Sequence, residues 1–149
     1  MTLGTPVLVA GATGQTGRLI VNALLAQGYE VRALIRNASK AATLPDTVQR
    51  AVGDVHAPAG LIAAMNGVSV VISAIGGRAP FGSNGFRSID WEGNRALIDA
   101  ASSARVSRFL MIPAGSAGRA DFPYSLRFPP YPWKALAEKH LQASGLPYT

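Results

Sequence analysis

The sequence predicts an α/β fold in which a doubly wound parallel sheet is covered by helices on both faces. Short apolar runs alternate with amphipathic segments along the chain, and this alternation is typical of parallel sheets. Residues 68–74 are almost continuously apolar, as expected for a central strand buried on both faces. The chain has 149 residues, 48% hydrophobic and 15% charged, which is enough for one folded domain.

Six strands are predicted, the last of which only begins before the chain ends. They share short length and an enrichment in Val, Ile and Leu. In chain order they cover residues 7–10, 29–37, 48–53, 68–74, 106–112 and 146–149.

Helices are predicted in the connections between these strands. The first covers residues 19–25, and the second covers 58–65 with Pro58 near its start, where proline is tolerated. Two further helices are indicated by apolar faces, and Gly145 is expected to end the last one. Those faces comprise Ile89, Gly93, Ala96, Leu97, Ala100 and Ala101, and then Trp133, Leu136, Ala137, His140 and Leu141.

A glycine-rich turn, G-A-T-G-Q-T-G-R at residues 11–18, joins the first strand to the first helix and predicts a nucleotide site. Gly11 leaves the strand in a conformation open mainly to glycine, Gly14 lets the backbone approach a pyrophosphate, and Gly17 lets the helix pack closely. The helix N-terminus adds free N–H groups and a partial positive charge. No G-K-[S/T] ending follows, which argues against a P-loop; a structural turn without a ligand is the alternative. The expected cofactor contacts in this turn are Gly11, Thr13, Gly14, Gln15, Thr16 and Gly17.

The end of the second strand indicates which dinucleotide binds. An NAD-selective site usually has Asp or Glu there, about 20 residues after the glycines, to hold the free ribose 2′-hydroxyl. This chain has Arg36, 19 positions after Gly17, and an arginine fork can bind a 2′-phosphate. Arg18 and Lys40 can add to the same positive field. The sequence therefore predicts NADP(H) as the bound cofactor, with NAD(H) less favoured. The alternative is that Arg36 is a solvated surface charge at the end of the strand.

Three more strand ends are expected to line the site, because ligands bind at the carboxyl ends of the strands in such sheets. Asp54 can accept a hydrogen bond from the adenine amino group, or it can cap the helix that begins near Pro58. The segment after the fourth strand permits close passage of the cofactor, and Pro113 follows the fifth strand, where we expect the nicotinamide. The predicted contacts at these ends are Asp54, Val55, Ala74, Ile75, Gly76 and Pro113.

Composition limits which binding partners and which cellular location the sequence predicts. The net charge is +6, but the basic residues are scattered and not interleaved with aromatics, which argues against nucleic acid as a partner. The chain has no cysteine, which excludes disulfides and thiolate metal sites and fits a cytoplasmic protein. Neither a signal peptide nor an apolar run of membrane-spanning length is evident, and the two histidines have no metal-ligand spacing. We expect His56 to be exposed and His140 to lie in a core or interface.

Five short segments at the predicted strand ends and in the glycine turn resemble the atypical short-chain dehydrogenase/reductase family, in particular its NmrA-like, NAD(P)H-binding branch. The resemblance covers essentially the whole chain and implies a Rossmann-like, NAD(P)-binding domain over residues 1–149. Members usually continue past the last of these segments into a smaller substrate-binding portion, so the chain is similar to a member lacking its C-terminal part. The segments are G-A-T-G-Q-T-G-R at 11–18, L-I-R at 34–36, G-D-V at 53–55, V-I-S-A-I-G at 71–76 and L-P-Y-T at 146–149.

The resemblance also implies catalytic residues, but here the match is incomplete. Typical members use Tyr-x-x-x-Lys on the helix before the sixth strand and a Ser after the fifth. Lys134 stands at a plausible position, but Pro130 occupies the Tyr position and Ser116 comes two or three residues late. The candidates are therefore Lys134, as a ribose-binding group, and Tyr131, as a displaced proton donor. Alternatively, Lys134 is a solvated helix charge near Glu138.

Two functions remain open. One is an NADPH-dependent reductase of a small, flat, conjugated acceptor such as a quinone, flavin or tetrapyrrole, because hydride passes directly to such acceptors without a dedicated acid. The other is a non-catalytic NADP(H)-binding module that senses redox state or assembles with a protein partner or a second copy. The aromatic segment at residues 122–133 is either a lid on the substrate side or a surface covered by further chain.

Overall fold

A five-stranded parallel sheet forms the centre of this computed structural model, which describes residues 4–112 and 131–149. The strands are β1 (Val7–Ala10), β2 (Val31–Ile35), β3 (Gln49–Val52), β4 (Val70–Ser73) and β5 (Arg108–Met111). Their order is β3-β2-β1-β4-β5, so the chain winds outward from β1 to β3 and then crosses back to β4. The order reverses between β1 and β4, and ligands bind at that point in open α/β sheets. The predicted fold class is confirmed.

The helices occupy the predicted connections. They are α1 (Gln15–Ala26), α2 (Pro58–Ala64), α3 (Asn94–Ser103) and α4 (Tyr131–Ala143). A 3₁₀ helix at Ala38–Thr43 was not predicted. The segment Arg87–Gly93, predicted as the start of an ordinary helix, is π-helical and leads directly into α3. Gly145 has φ +77° just beyond α4, as expected for a glycine that ends a helix.

The core lies on both faces of the sheet because successive strand residues point to opposite sides. Leu8 and Ala10 of β1 face a cluster with Leu61, Leu97 and Leu141, from α2, α3 and α4. Val9 faces the other cluster, which contains Val21 of α1. Both faces of β1 are therefore covered, which explains why its sequence is apolar throughout.

The two edges of the sheet differ from the centre. At one edge β3 is largely exposed, and Val52 is 66% exposed. Among the described residues, β3 pairs with β2 and with no further strand. At the other edge, the predicted start of a sixth strand forms a single parallel bridge between Phe109 and Tyr148. The Phe109 N–H donates to Pro147 O at 2.8 Å, and the Thr149 N–H donates to Phe109 O at 3.0 Å.

Candidate functional site

The glycine turn between β1 and α1 has the geometry that its sequence predicts. Gly11 has φ +81°, and an added Cβ would lie 2.6 Å from the Ala74 carbonyl oxygen, so only glycine fits between the ends of β1 and β4. A Cβ on Gly17 would lie 2.6 Å from the Gly11 carbonyl carbon, which confirms the close packing of α1. Gly14 is the residue that precedes α1, and no side chain caps the helix there. Helix α1 therefore begins, without a capping side chain, directly after a residue that lines the cleft described next.

A cleft of about 260 Å³ opens above this turn, at the carboxyl ends of β1, β2, β3 and β4. Eight residues predicted from the sequence line it: Gly11, Thr13, Gly14, Arg36, Val55, Ala74, Ile75 and Gly76. Asp54 lines an adjoining pocket together with Thr13, Arg36 and Lys40. Three predicted contacts in the first turn of α1 do not line the cleft: Gln15 and Thr16, which are exposed, and Gly17, which is buried. Pro113 lies outside the described residues.

The cleft has a positive wall. Arg36, Lys40 and Arg78 all line it and all have exposed side chains. One terminal nitrogen of Arg36 donates a 2.9 Å hydrogen bond to Asn84 Oδ1. Within residues 4–112 and 131–149, no carboxylate lies within salt-bridge distance of Arg36, although its charge acts on the nearby Asp54. This wall suits an anionic group at the end of β2.

Asp54 lies beside that wall in a short hydrogen-bonded chain. Its Oδ1 accepts from the backbone N–H of His56 and lies 2.9 Å from the ring nitrogen Nδ1 of the same residue. His56 Nε2 lies 2.7 Å from Ser88 Oγ. The His56 backbone bond, followed by the His56 ring and the Arg36 charge, lowers the pKa of Asp54 against the opposing effect of burial. Asp54 is therefore an ionised acceptor at neutral pH.

The alternative role for Asp54, as the cap of the helix at Pro58, is wrong. The residue that precedes α2 is Ala57, and no side chain accepts a capping hydrogen bond there. The reason is local: the Asp54 carboxylate already accepts from the backbone two residues ahead, which turns the chain before α2 begins. His56 is partly exposed, as expected, but it is held at both ring nitrogens.

Lys134 points inward from α4, so the interpretation as a solvated helix charge is wrong. Its Nζ lies 3.4 Å from Asp90 Oδ1 and donates to the Ile112 carbonyl oxygen at 3.4 Å. The Lys134 side chain is 13% exposed and that of Asp90 is 0% exposed. Asp90 Oδ2 also accepts from the Gly77 N–H at 2.9 Å. Lys134 therefore joins α4 to the segment after β4 and to the end of β5.

Burial is the largest influence on the pKa of two carboxyl groups near Lys134, those of Asp90 and Glu138. Burial raises the pKa of Asp90, while the Gly77 N–H and the Lys134 ammonium act in the opposite direction. Burial also raises the pKa of Glu138, one turn along α4, and the charge of Lys134 opposes that shift. Tyr131 is the first residue of α4, but its side chain is not described, and Ser116 lies outside the described residues. The proposed proton donor therefore stays a prediction.

His140 lies where the sequence suggested, at a contact between helices. Its Nε2 is 2.6 Å from Asp99 Oδ1 of α3, and its ring meets the edge of Trp91 at a centroid distance of 5.8 Å. His140 therefore has a packing role between α3 and α4. Within the described ranges 4–112 and 131–149, no cluster of side chains could hold a metal ion.

Three residues near the site were not singled out from the sequence. Arg78 stands two positions after Gly76, so its basic charge at a strand end was a usable signal. Asp90 gave a weaker one, as a carboxylate inside an apolar helical face. Asn84 gave none, because its contact with Arg36 joins residues 48 positions apart.

Residues 11–149 match the family described as NAD(P)H-binding. The chain belongs to this family. The match covers the glycine turn and every strand after β1, so the predicted cofactor class, a nicotinamide dinucleotide, is confirmed. The resemblance to the atypical short-chain dehydrogenase/reductase family is confirmed as well.

Individual relatives agree with this assignment. The chain is 37% identical over 144 residues to "Photosystem II assembly factor Ycf39" of Cyanophora paradoxa, covering 96% of this chain and 43% of that protein. It is 28% identical to the structure of ChuY, "an anaerobillin reductase" from Escherichia coli O157:H7, with a TM-score of 0.76 over 97% of this chain and 70% of that one. The Citrobacter sp. triphenylmethane reductase complexed with NADP(H) shares the fold at 24% identity and a TM-score of 0.72, over 95% of this chain and 47% of that one.

The chain spans less than half the length of Ycf39. In the part of the chain that the structure describes, no helix is both long enough and apolar enough to cross a membrane. The cytoplasmic location stays a prediction.

Proposed function

We propose that this NAD(P)H-binding protein selects NADP(H) and transfers hydride to a flat, conjugated acceptor such as a quinone or flavin. The observation that carries the cofactor choice is the positive wall of the cleft. Arg36 directly follows β2, at the position where the adenosine ribose of a bound dinucleotide lies in such folds. Its guanidinium has no carboxylate partner within the described ranges, and Lys40 and Arg78 line the same cleft. These charges favour a 2′-phosphate over a 2′-hydroxyl.

The choice of acceptor rests on the chemistry that the chain lacks. Pro130 replaces the tyrosine four residues before Lys134, and the Lys134 ammonium is already engaged by Asp90. NADPH held in the cleft by the glycine turn and Arg36 would supply the hydride, and a quinone or flavin would take up that hydride and a proton from solvent, so no protein acid is needed. Both the ChuY structure and the triphenylmethane reductase are named as reductases, which supports this class.

The test combines binding with turnover. Dissociation constants for NADPH and NADH are measured by fluorescence titration, and NADPH oxidation is followed with quinones, flavins and tetrapyrroles. We expect tighter binding of NADPH and oxidation that depends on both protein and acceptor. A matched control is Lys139→Gln, which removes one exposed positive charge from α4, away from the cleft. The test variant is Arg36→Gln, which removes the charge that would bind the 2′-phosphate. The cofactor choice is contradicted if NADH binds more tightly than NADPH, or if Arg36→Gln and the control lose NADPH affinity equally.

A second candidate is a non-catalytic NADP(H)-binding module that assembles with a protein partner. The 37% identity to a protein named as a photosystem II assembly factor favours it, together with the displaced catalytic tyrosine. The two candidates separate cleanly in the same experiment. Tight NADPH binding with no acceptor raising oxidation above the protein-free rate supports the module, and acceptor-dependent turnover supports the reductase.

A further inference from the structure

The segment after β4 forms a closed loop beside the cleft, which we call the 77–86 loop. The Arg78 N–H donates to Asn84 O, and the Phe86 N–H donates to Ala79 O, both at 2.9 Å. The base of the loop is closely packed, since a Cβ on Gly77 would lie 2.7 Å from the backbone of Phe86. Both ends are tied to the π-helical segment, where Asp90 accepts from Gly77 N and the Ile89 N–H donates to Gly85 O. The loop therefore holds Asn84 in a defined place.

Asn84 reaches across the cleft to Arg36. Arg36 follows β2 and the 77–86 loop follows β4, so β1 and its glycine turn lie between them. The 2.9 Å bond from Arg36 to Asn84 Oδ1 therefore spans the cleft above the turn. The amide oxygen must face Arg36, because a guanidinium carries donors only.

The contact with Asn84 orients the Arg36 guanidinium without neutralising its positive charge. In the part of the chain that the structure describes, Arg36 uses one of its five N–H donors, in the bond to Asn84. An exposed arginine loses considerable rotamer freedom when it binds a phosphate, and prior orientation lowers that loss. A carboxylate at position 84 would orient Arg36 as well, but it would also neutralise the charge and repel a phosphate. A neutral amide gives orientation alone.

We propose that Asn84 is a positioning residue that increases the preference for the 2′-phosphate of NADP(H) by orienting Arg36. This inference rests on the proposed selection of NADP(H). It assigns to the 77–86 loop a part in cofactor specificity, in addition to the motif at the end of β2. Asn84 acts through Arg36, so its effect disappears when Arg36 is replaced.

The experiment is a double-mutant cycle on cofactor affinity. Dissociation constants for NADPH, NADH, 2′,5′-ADP and 5′-AMP are measured for the unmodified protein, Asn84→Ala, Arg36→Gln and the double variant. We expect Asn84→Ala to weaken NADPH and 2′,5′-ADP by about three- to tenfold, the range of one modest polar interaction. We expect NADH and 5′-AMP to change by less than about twofold, because neither carries the 2′-phosphate that Arg36 would bind. In the Arg36→Gln background, Asn84→Ala should have no further effect on NADPH.

Asn84→Asp separates orientation from charge. It retains an acceptor for Arg36, so a thermal melt close to that of the unmodified protein is expected, while NADPH affinity falls further than in Asn84→Ala. A purely structural role for Asn84 would instead lower the affinity for NADPH and NADH equally, or would persist in the Arg36→Gln background, and either result overturns the inference. If Arg36→Gln itself leaves the NADPH to NADH ratio unchanged, the proposed cofactor selection fails and the inference fails with it. If only Arg36→Gln changes the ratio, the inference alone fails.

Discussion

Removal of the Lys134 ammonium should destabilise the fold and make its stability depend more steeply on pH. In Lys134→Met, the methionine retains most of the apolar stem, but Asp90 loses the cation 3.4 Å from its Oδ1. That oxygen is fully buried and has no hydrogen-bond donor among the described residues, so the ion pair is its main compensation. The carboxylate would remain in the interior with only the Gly77 N–H on its other oxygen.

The size of the effect follows from the burial of both partners. Breaking a buried ion pair by removing one partner typically costs about 3–5 kcal/mol, because an uncompensated charge stays behind. Lys134 retains 13% exposure, which places the expected loss near the lower end, about 3 kcal/mol at pH 7. A domain of this size has about 5–15 kcal/mol of total stability, so the variant should still fold.

The pH dependence has a definite sign. Burial raises the pKa of Asp90 above 3.8, so the folded state binds this proton more tightly than the unfolded chain does. The contribution of Asp90 to stability therefore falls as pH rises from about its unfolded pKa through its folded pKa. Loss of the Lys134 charge raises that folded pKa further. The penalty of Lys134→Met should consequently shrink as the pH is lowered from 7 towards 5.

Urea denaturation at several pH values measures this directly, with the free energy of unfolding taken from the midpoint and slope. The matched control is Lys139→Met, an exposed lysine on the same helix, for which a change of at most about 0.5 kcal/mol is expected. Asp90→Asn combined with Lys134→Met should recover most of the loss, since the buried charge is then gone. A loss below about 1 kcal/mol with no pH dependence would refute the buried pair as the reason for the orientation of Lys134.

Three further predictions concern the glycines and the cleft. Gly17→Ala should lower the free energy of unfolding by about 1–3 kcal/mol and weaken NADPH binding, because its Cβ would meet the Gly11 carbonyl; unchanged urea midpoints and affinity would contradict it. Gly60→Ala should instead raise the free energy of unfolding by about 0.5–1 kcal/mol, because Gly60 lies within α2 and no atom outside the helix is closer than 3.8 Å to the new Cβ. A lower urea midpoint would contradict this prediction. Arg36→Gln should weaken NADPH about tenfold or more and leave NADH within about twofold, as measured by fluorescence titration.

The sheet and the glycine turn were predictable because their signals are local. The apolar character of β1 and β4 follows from burial on both faces, and a glycine triplet between strand and helix reflects backbone sterics within a few residues. The position of β3 at the edge of the sheet could not be predicted, because its apolar residues fit a strand equally well at the edge or in the centre. The π-helical segment at Arg87–Gly93 was predicted as ordinary helix, since its apolar positions also fit that spacing.

Residues that depend on distant partners could not be assigned in the same way. Lys134 sits on a helix with Glu138 four residues later, a spacing that favours an exposed pair. The fold instead turns Lys134 towards Asp90, a contact made across 44 positions of chain. Asn84 and Arg36 are separated by 48 positions, and nothing near either residue indicates the other.

Asp90 connects the contacts of Lys134 to the loop that carries Asn84. One carboxylate oxygen accepts from Gly77, where the 77–86 loop begins, and the other pairs with Lys134. Lys134 in turn donates to the carbonyl of Ile112, just past β5. The base of the loop that holds Asn84 is therefore tied through one buried carboxylate to α4 and to the next strand end. An apolar residue at position 90 would leave the Gly77 N–H and the Lys134 ammonium without their acceptor, so the position requires a group that accepts on both sides.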